Sequence, residues 1–255
     1  MISNQQLVIN NFADKLKIFT NAVQGNFNQE EDFVLANTGI PTDTFNVLLP
    51  MSAYINNLTK IKKGIEDFSS KKYPFSTWID ARYLNDSWQN LMREFNLEEA
   101  ERNVMMKLEN TVNVDQIKSQ QLIITRVDTL EELMEYKDVL ISLFEGTPEK
   151  DALQCFFKKI SEVNLGSEIQ MFIGRINEET VSTGLLIESK DSYGIYDVMT
   201  KEILRGKGYG SEMFQYILSQ TKDKQKPVVL QASEDGKNIY KRFGFVDVGE
   251  MVVYE

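Results

Sequence analysis

The chain has 255 residues, 42% apolar and 26% charged with only 14 Gly and 5 Pro, a composition of one large or two small globular domains, outside the range of disordered or collagen-like chains. A formal net charge of −10, with neither half basic, excludes a sequence-independent nucleic-acid binder, which needs Lys and Arg to neutralise phosphates. One cysteine, Cys155, excludes an internal disulfide and a cysteine-cluster metal site, and zero His removes imidazole bases, Ser–His and Cys–His pairs and His-ligated zinc, so no metal is expected.

MISNQQLVIN lacks the charged start and long apolar stretch of a signal peptide, and no run of about 18 apolar residues occurs, so the expectation is a cytoplasmic protein without a membrane partner. Residues 74–109, PFSTWIDARYLNDSWQNLMREFNLEEAERNVMMKLE, read as strand, helix, strand. The polar stretch Val112 to Gln120 reads as a linker. LIITRV, residues 122–127, is a short β-branched strand leading through Asp128 and Thr129 into the helical LEELMEYKDVLISLF. A second helix, DALQCFFKKISEV, follows the turn at Gly146 to Pro148.

The period then changes. QMFIGRI, VSTGLLIES and GIYDVMT are strand-like and separated by NEET and KDSY, hairpin-length turns that imply an antiparallel meander. The glycine-rich RGKGYG follows, then the helical SEMFQYILSQT, the strand VVLQA, the helical GKNIYKRFG and a last strand near GEMVVYE. This order predicts an α+β unit with a mixed, mostly antiparallel sheet flanked by helices.

The end of the first half echoes the end of the second. Residues 74–109 lie over PVVLQASEDGKNIYKRFGFVDVGEMVVYE, and LMREFNL matches IYKRFGF position by position, setting Met92 against Tyr240, Phe95 against Phe243 and Asn96 against Gly244. The chain therefore reads as two copies of one fold, residues 1–118 and 119–255.

Gly206, Gly208 and Gly210, between a strand and a helix, can turn backbone N–H groups toward an anion at the helix N-terminus. The Walker loop fails because Gly208 follows Lys207 where Ser or Thr is required. The dinucleotide fingerprint fails because Ser211 takes the last glycine position and the preceding strands are hairpin-connected. A plain surface turn stays open at this point.

The run Arg205, Gly206, Lys207, Gly208, Tyr209, Gly210 resembles the pyrophosphate loop Q/R-x-x-G-x-G/A of the GNAT acetyltransferases, and ASEDGKNIYKRFGF resembles their strand-helix unit with a Tyr shortly before Gly-Phe, here Tyr240 before Gly244-Phe245. The resemblance covers roughly residues 121–255. It implies acetyl-CoA as cosubstrate. Val198, Met199 and Thr200 would bond the pantetheine arm and acetyl carbonyl through backbone groups on a strand that splays from its neighbour. Arg205 and Gly206 to Ser211 would surround the pyrophosphate, and Tyr240 would protonate the departing thiolate. Ser233 stands where many members have an Asn that contacts CoA; its hydroxyl can still donate a hydrogen bond.

The copy formed by residues 1–118 lacks this machinery: Ser52 to Asn57, SAYINN, replaces the glycine loop and Met92 replaces Tyr240. VLANTGIPTDTFNVLLP also resembles the N-terminal half of two-domain GNAT proteins, as a proline-set turn or as a wall of the acceptor site. Asp197, Glu188 and Glu168 are the carboxylates near the meander that could accept a proton. Trp78 and Trp88 are expected in the core of the first half, and Cys155 is expected to be buried.

The function expected from the resemblance is transfer of an acetyl group to a primary amine of a small molecule or protein by direct attack, the base being a carboxylate, water or solvent. Net acidity favours encounter with a cationic amine. A non-catalytic acyl-CoA-binding sensor or interaction module is the alternative that the same motifs leave open.

Overall fold

The chain is described from a computed structural model covering residues 2–109, 121–221, 225–234 and 236–255; the expected linker Val112 to Gln120 lies outside the described residues. The first half runs α1 (Asn4–Ala22), β1 (Asn26–Gln29), β2 (Phe33–Asn37), β3 (Val47–Pro50), α2 (Leu58–Lys71), β4 (Ser76–Asp80), α3 (Asp86–Glu94) and β5 (Glu99–Leu108). The second runs β6 (Ile123–Arg126), α4 (Leu130–Ile141), α5 (Pro148–Ile160), β7 (Ile169–Ile176), β8 (Glu179–Glu188), β9 (Tyr193–Thr200), α6 (Tyr209–Ser219), β10 (Val228–Ser233), α7 (Lys237–Lys241) and β11 (Phe245–Tyr254).

Local chemistry sets these boundaries. Thr129 and Glu132 form a reciprocal capping box that starts α4. Asn177 and Glu178, with φ of 48° and 70°, make the two-residue turn between β7 and β8, where positive φ matches the strand twist. The chain leaves α3 through Asn96 at φ 54° and leaves α7 through Gly244 at φ 90°, so the two residues aligned by the repeat do the same backbone work. The repeat is therefore structural: in both halves a three-strand meander, a helix, a strand parallel to the meander's last strand, a short helix and a long strand follow one another.

Among the described residues eleven strands join one sheet in the order β1-β2-β3-β4-β11-β5-β10-β9-β8-β7-β6. The halves exchange their last strands. β5 pairs antiparallel with β10 (Val229 against Lys107 through Ser233 against Asn103), while β11 pairs antiparallel with β4 (Met251 against Asp80 through Tyr254 against Thr77). β5 and β11 lie side by side at the centre, paired from Phe245 against Leu108 to Tyr254 against Glu99.

On one face α1, α4 and α5 cover a single apolar core that runs through both halves, from Val34 and Val47 to Leu185 and Ile187. On the other, α6 and α7 cover one core and α2 and α3 a second. Helix α1 ties the shared face together. Val8, Ile9, Leu16 and Phe19 are buried in it, each contributing about 1.5–3 kcal/mol by loss of apolar surface. Asn11 and Lys15 interrupt this apolar stripe and are buried too.

Trp88 is buried among α2 and α3 and its indole N–H donates to the Ser52 carbonyl at 3.1 Å; Trp78 is half-buried against α1, its ring 5.2 Å from that of Phe12. Cys155 corrects the expectation of burial. It is exposed, because Ala152, Leu153, Phe156, Phe157 and Ile160 form the buried stripe of α5 and a position between Leu153 and Phe156 points away from it.

Candidate active site

β9 and β10 are parallel neighbours over only two residue pairs, Tyr193 with Val228 and Gly194 with Val229. Beyond Gly194 the strands part, leaving the β10-facing edge of β9 without a ladder partner. The cause is visible on the other side of β9. Leu185 opposes Tyr196 but Thr183 opposes Met199, so β9 carries an extra residue there, and Asp197 takes φ 51° to accommodate it. The bulge is pinned: the Thr183 hydroxyl donates to the Asp197 carbonyl at 3.0 Å and the Ser182 hydroxyl to the Met199 carbonyl at 2.6 Å. Val198 then packs on the α6–α7 core and Met199 on the α1–α4–α5 core, so these two residues send their side chains to opposite faces of the sheet.

At the end of β9 the chain makes a short 3-10 turn, Glu202–Leu204, and enters α6 through Gly206 at φ 79° and Gly208 at φ 93°. No protein atom lies within 4 Å of where a Cβ would stand on either glycine; the backbone conformation demands glycine, and the space beside it is left for something else. α6 has no side-chain cap, so the N–H groups of its first turn, at Tyr209, Gly210 and Ser211, have no intrahelical acceptor and carry the positive end of the helix dipole, the chemistry that suits an anion. Gly210 brings α6 close to β9, with its Cβ direction 3.3 Å from Thr200 Oγ1. That hydroxyl is buried with no hydrogen-bond partner, an orphan which a bound oxygen-rich group would satisfy. Arg205 Nε–H donates to the Thr200 carbonyl at 3.4 Å, which keeps the guanidinium beside the loop, and Lys207 is exposed on it.

Tyr240 belongs to the same core as Val198, Leu204 and Tyr209. Its ring centroid is 4.8 Å from that of Phe214, and burial holds its phenol above the ordinary tyrosine value. Ser233, at the end of β10, accepts the Gly236 N–H on its hydroxyl oxygen at 3.2 Å. It thus shapes the turn into α7 and keeps its own O–H to donate.

On the opposite face, the Asp197 carboxylate receives the Tyr136 hydroxyl of α4 at 3.1 Å on Oδ2 and lies 3.5 Å from Lys15 Nζ on Oδ1. The Lys15 ammonium also sits 4.6 Å from the centroid of the Tyr196 ring. The Tyr196 hydroxyl donates to Asn11 Oδ1 at 2.9 Å, and Asn11 Nδ2 donates into the β8–β9 hairpin at Ser189 Oγ (3.0 Å) and Ser192 Oγ (3.1 Å). Both phenols are held well above the usual tyrosine range, Tyr136 by burial and then by the Asp197 charge, Tyr196 by burial and then by Asp14 and Asp197. They are neutral donors. Of the three carboxylates singled out in the sequence, only Asp197 belongs to this bulge. Glu188 pairs with Lys226 at 2.9 Å, at the other end of β8, and Glu168 is exposed at the start of the meander.

In the first half, α2 begins where α6 begins in the second. The segment Ser52 to Asn57 is closed there by Asp32, whose buried carboxylate accepts the N–H of Asn56 (2.6 Å) and Asn57 (2.9 Å) and the Asn57 side-chain amide (2.6 Å). Burial pushes the Asp32 carboxyl up, but these hydrogen bonds outweigh it and leave the group below the ordinary aspartate value. Met92, opposite Tyr240 in the repeat, is buried among α2 and α3. The element around Gly39-Ile40-Pro41 packs on α5: the Thr42 and Thr44 hydroxyls donate to Glu149, and Phe45 stacks on Phe156 at 4.1 Å.

A family model described as the acetyltransferase (GNAT) domain matches residues 144–255. Residues 144–255 belong to the GNAT acetyltransferase family. The fold supports acyl-CoA-dependent acetyl transfer in general. No curated protein matches the chain in sequence. Among solved structures, a GCN5-related N-acetyltransferase from Kribbella flavida is similar at TM-score 0.66 and 13% identity, over 95% of this chain and 94% of that one. A functionally unknown conserved protein from Staphylococcus epidermidis is similar at TM-score 0.67 and 15% identity, over 91% and 94%. A tandem GNAT protein from the clavulanic acid biosynthesis pathway is similar at TM-score 0.57 and 8% identity, over 87% and 76%. These likenesses extend the GNAT architecture across both halves. Among the described residues no helix is long and apolar enough to cross a membrane.

Lys15, Asn11, Tyr136 and Tyr196 were not singled out in the sequence. The one local signal was the pair Asn11 and Lys15, four residues apart on the apolar stripe of α1.

Proposed function

We propose that the chain is an N-acetyltransferase that moves an acetyl group from acetyl-CoA to the primary amine of a small molecule or protein by direct attack. The observation that carries this reading is the split between β9 and β10. It opens at one end on the glycine loop and uncapped helix α6, with Tyr240 on one face and Asp197 on the other. In this reading residues 119–255 are the catalytic domain and residues 1–118 a degenerate copy that takes no CoA.

Backbone groups of Val198, Met199 and Thr200, freed by the splay, bond the pantetheine arm and polarise the acetyl carbonyl. The amides of the loop and first turn of α6, Gly206 to Ser211, bind the pyrophosphate with the Arg205 and Lys207 side chains beside them, and Ser233 offers its O–H from β10. The neutral amine attacks the carbonyl carbon from the Asp197 side. A C–N bond forms and the C–S bond breaks; one proton leaves nitrogen for the Asp197 carboxylate and one passes from the Tyr240 hydroxyl to sulfur. Exchange with solvent restores both groups.

The test is thiol release from acetyl-CoA with a panel of lysine, spermidine, kanamycin and a peptide with a free N-terminus, with mass spectrometry of the products. An acetylated amine is expected. Tight acetyl-CoA binding with no acetylated product from any amine class would overturn the enzyme reading in favour of a binding module.

A further inference from the structure

Lys15 lies in the first half, on α1, yet its ammonium reaches the bulge that opens the split in the second half, 182 residues along the chain. Its side chain is 11% exposed and that of Asp197 23%, so the pair is largely withdrawn from water. Stability alone does not call for a charge at this place: a methionine of similar length would pack on the Tyr196 ring without the desolvation that an interior ion pair pays. What the charge adds is orientation. Lys15 takes Oδ1 of Asp197 and Tyr136 takes Oδ2, two partners that select one rotamer on a residue whose backbone is already turned out of the strand at φ 51°. Lys15 is in turn seated on the Tyr196 ring, and Tyr196 is anchored through Asn11 to the same helix.

We propose that Lys15 is a positioning residue for acetyl transfer, holding the Asp197 carboxylate toward the acceptor side of the β9–β10 split, so that the first half completes the active site of the second. The inference rests on Asp197 as the proton acceptor and deepens that reading. Among the described residues, Asp197 faces Lys15 from α1, Tyr136 from α4 and Tyr196 from β9, and Asp14 of α1 acts on the Tyr196 phenol beside it. Lys15 is the cation among them.

The experiment compares Lys15→Met, Lys15→Arg and Asp197→Asn in the intact chain. With acetyl-CoA and the amine panel above, Lys15→Met is expected to lower kcat about tenfold with KM for acetyl-CoA within about twofold, and Lys15→Arg to recover most of the loss. An acceptor-independent reading is the 13C carboxyl resonance of Asp197, identified by its disappearance in Asp197→Asn. It is expected to move in Lys15→Met and to return in Lys15→Arg. An unmoved resonance, or a moved resonance with unchanged kcat, overturns the inference. If Asp197→Asn turns over normally, the proton-acceptor reading fails and the inference with it. If the unaltered protein acetylates none of the amines, the enzyme reading fails, while the resonance still decides whether Lys15 holds Asp197.

Discussion

The Asp32 carboxylate accepts the backbone N–H of Asn57 at 2.9 Å at the start of α2, the place that in the second half is the open first turn of α6. In the first half the chain itself supplies an anion at this place; in the proposed function the corresponding place in the second half takes the pyrophosphate. Calorimetry on the intact chain is therefore expected to give one acetyl-CoA per chain, and two equivalents would refute the assignment of the first half as a degenerate copy.

Asp32→Ala removes the acceptor of three part-buried hydrogen bonds, from the Asn56 and Asn57 N–H groups and the Asn57 side-chain amide, and is expected to destabilise the fold by about 1–3 kcal/mol at neutral pH. Because the folded state holds this carboxyl below its ordinary value, its contribution is complete above the unfolded aspartate range and is lost as pH falls through the folded one. Denaturant unfolding at a series of pH values is expected to show the gap between the variant and the unaltered protein closing on the acid side.

Gly208 has φ 93° and caps α6. Gly208→Ala meets no neighbouring atom but adopts a backbone conformation that costs an L-residue about 1–2 kcal/mol. The melting temperature should fall by a few degrees with the circular dichroism spectrum preserved, while affinity for acetyl-CoA should drop by at least about tenfold, because the methyl group and the relaxed loop disturb the amides aimed at phosphate. Equal affinity in a folded variant would remove the loop from the cofactor site.

Tyr240→Phe keeps the ring against Phe214 and removes only the hydroxyl. Turnover is expected to fall by about 10²- to 10⁴-fold with acetyl-CoA affinity nearly unchanged. Burial raises this phenol, so the basic limb that it contributes to the rate profile lies above the ordinary tyrosine value and should be absent from the variant. Loss of affinity and melting temperature together would make Tyr240 a packing residue.

Cys155 is exposed on α5, so the native protein should react with a thiol reagent such as Ellman's at one equivalent without denaturant. Cys155→Ser should abolish this signal and leave stability within about 0.5 kcal/mol. The same variant gives a clean background for detecting released CoA.

What was legible in the sequence was local. RGKGYG and the Tyr240 to Phe245 run carry their chemistry in a few consecutive residues, and the match of Asn96 to Gly244 marks a shared backbone requirement that the structure meets at positive φ in both. The exchange of β5 and β11 was not legible, since each strand has an alternation that fits beside either β4 or β10, and choosing between them is a matter of three-dimensional closure. Lys15 and Asp197 are likewise joined only by the shared core beneath α1. The Cys155 misreading has a simpler source: DALQCFF has apolar residues on more than one side of the helix, and periodicity over so short a run leaves the buried side ambiguous.

The crossed position of the two central strands has a consequence for synthesis. Translation delivers β4 and β5 long before β10 and β11, so β5 has no mate until β10 is made and the sheet edge of β4 stays open until β11 is made. Closure thus depends on pairs such as Arg102 with Val252, 150 residues apart, contacts of the kind that fold slowly and leave exposed strand edges open to intermolecular pairing in the meantime. A ribosome stalled before β11 would hold this one sheet as two unjoined parts, β1 to β4 and β5-β10-β9-β8-β7-β6, and a nascent chain in that state offers its open strand edges to a chaperone.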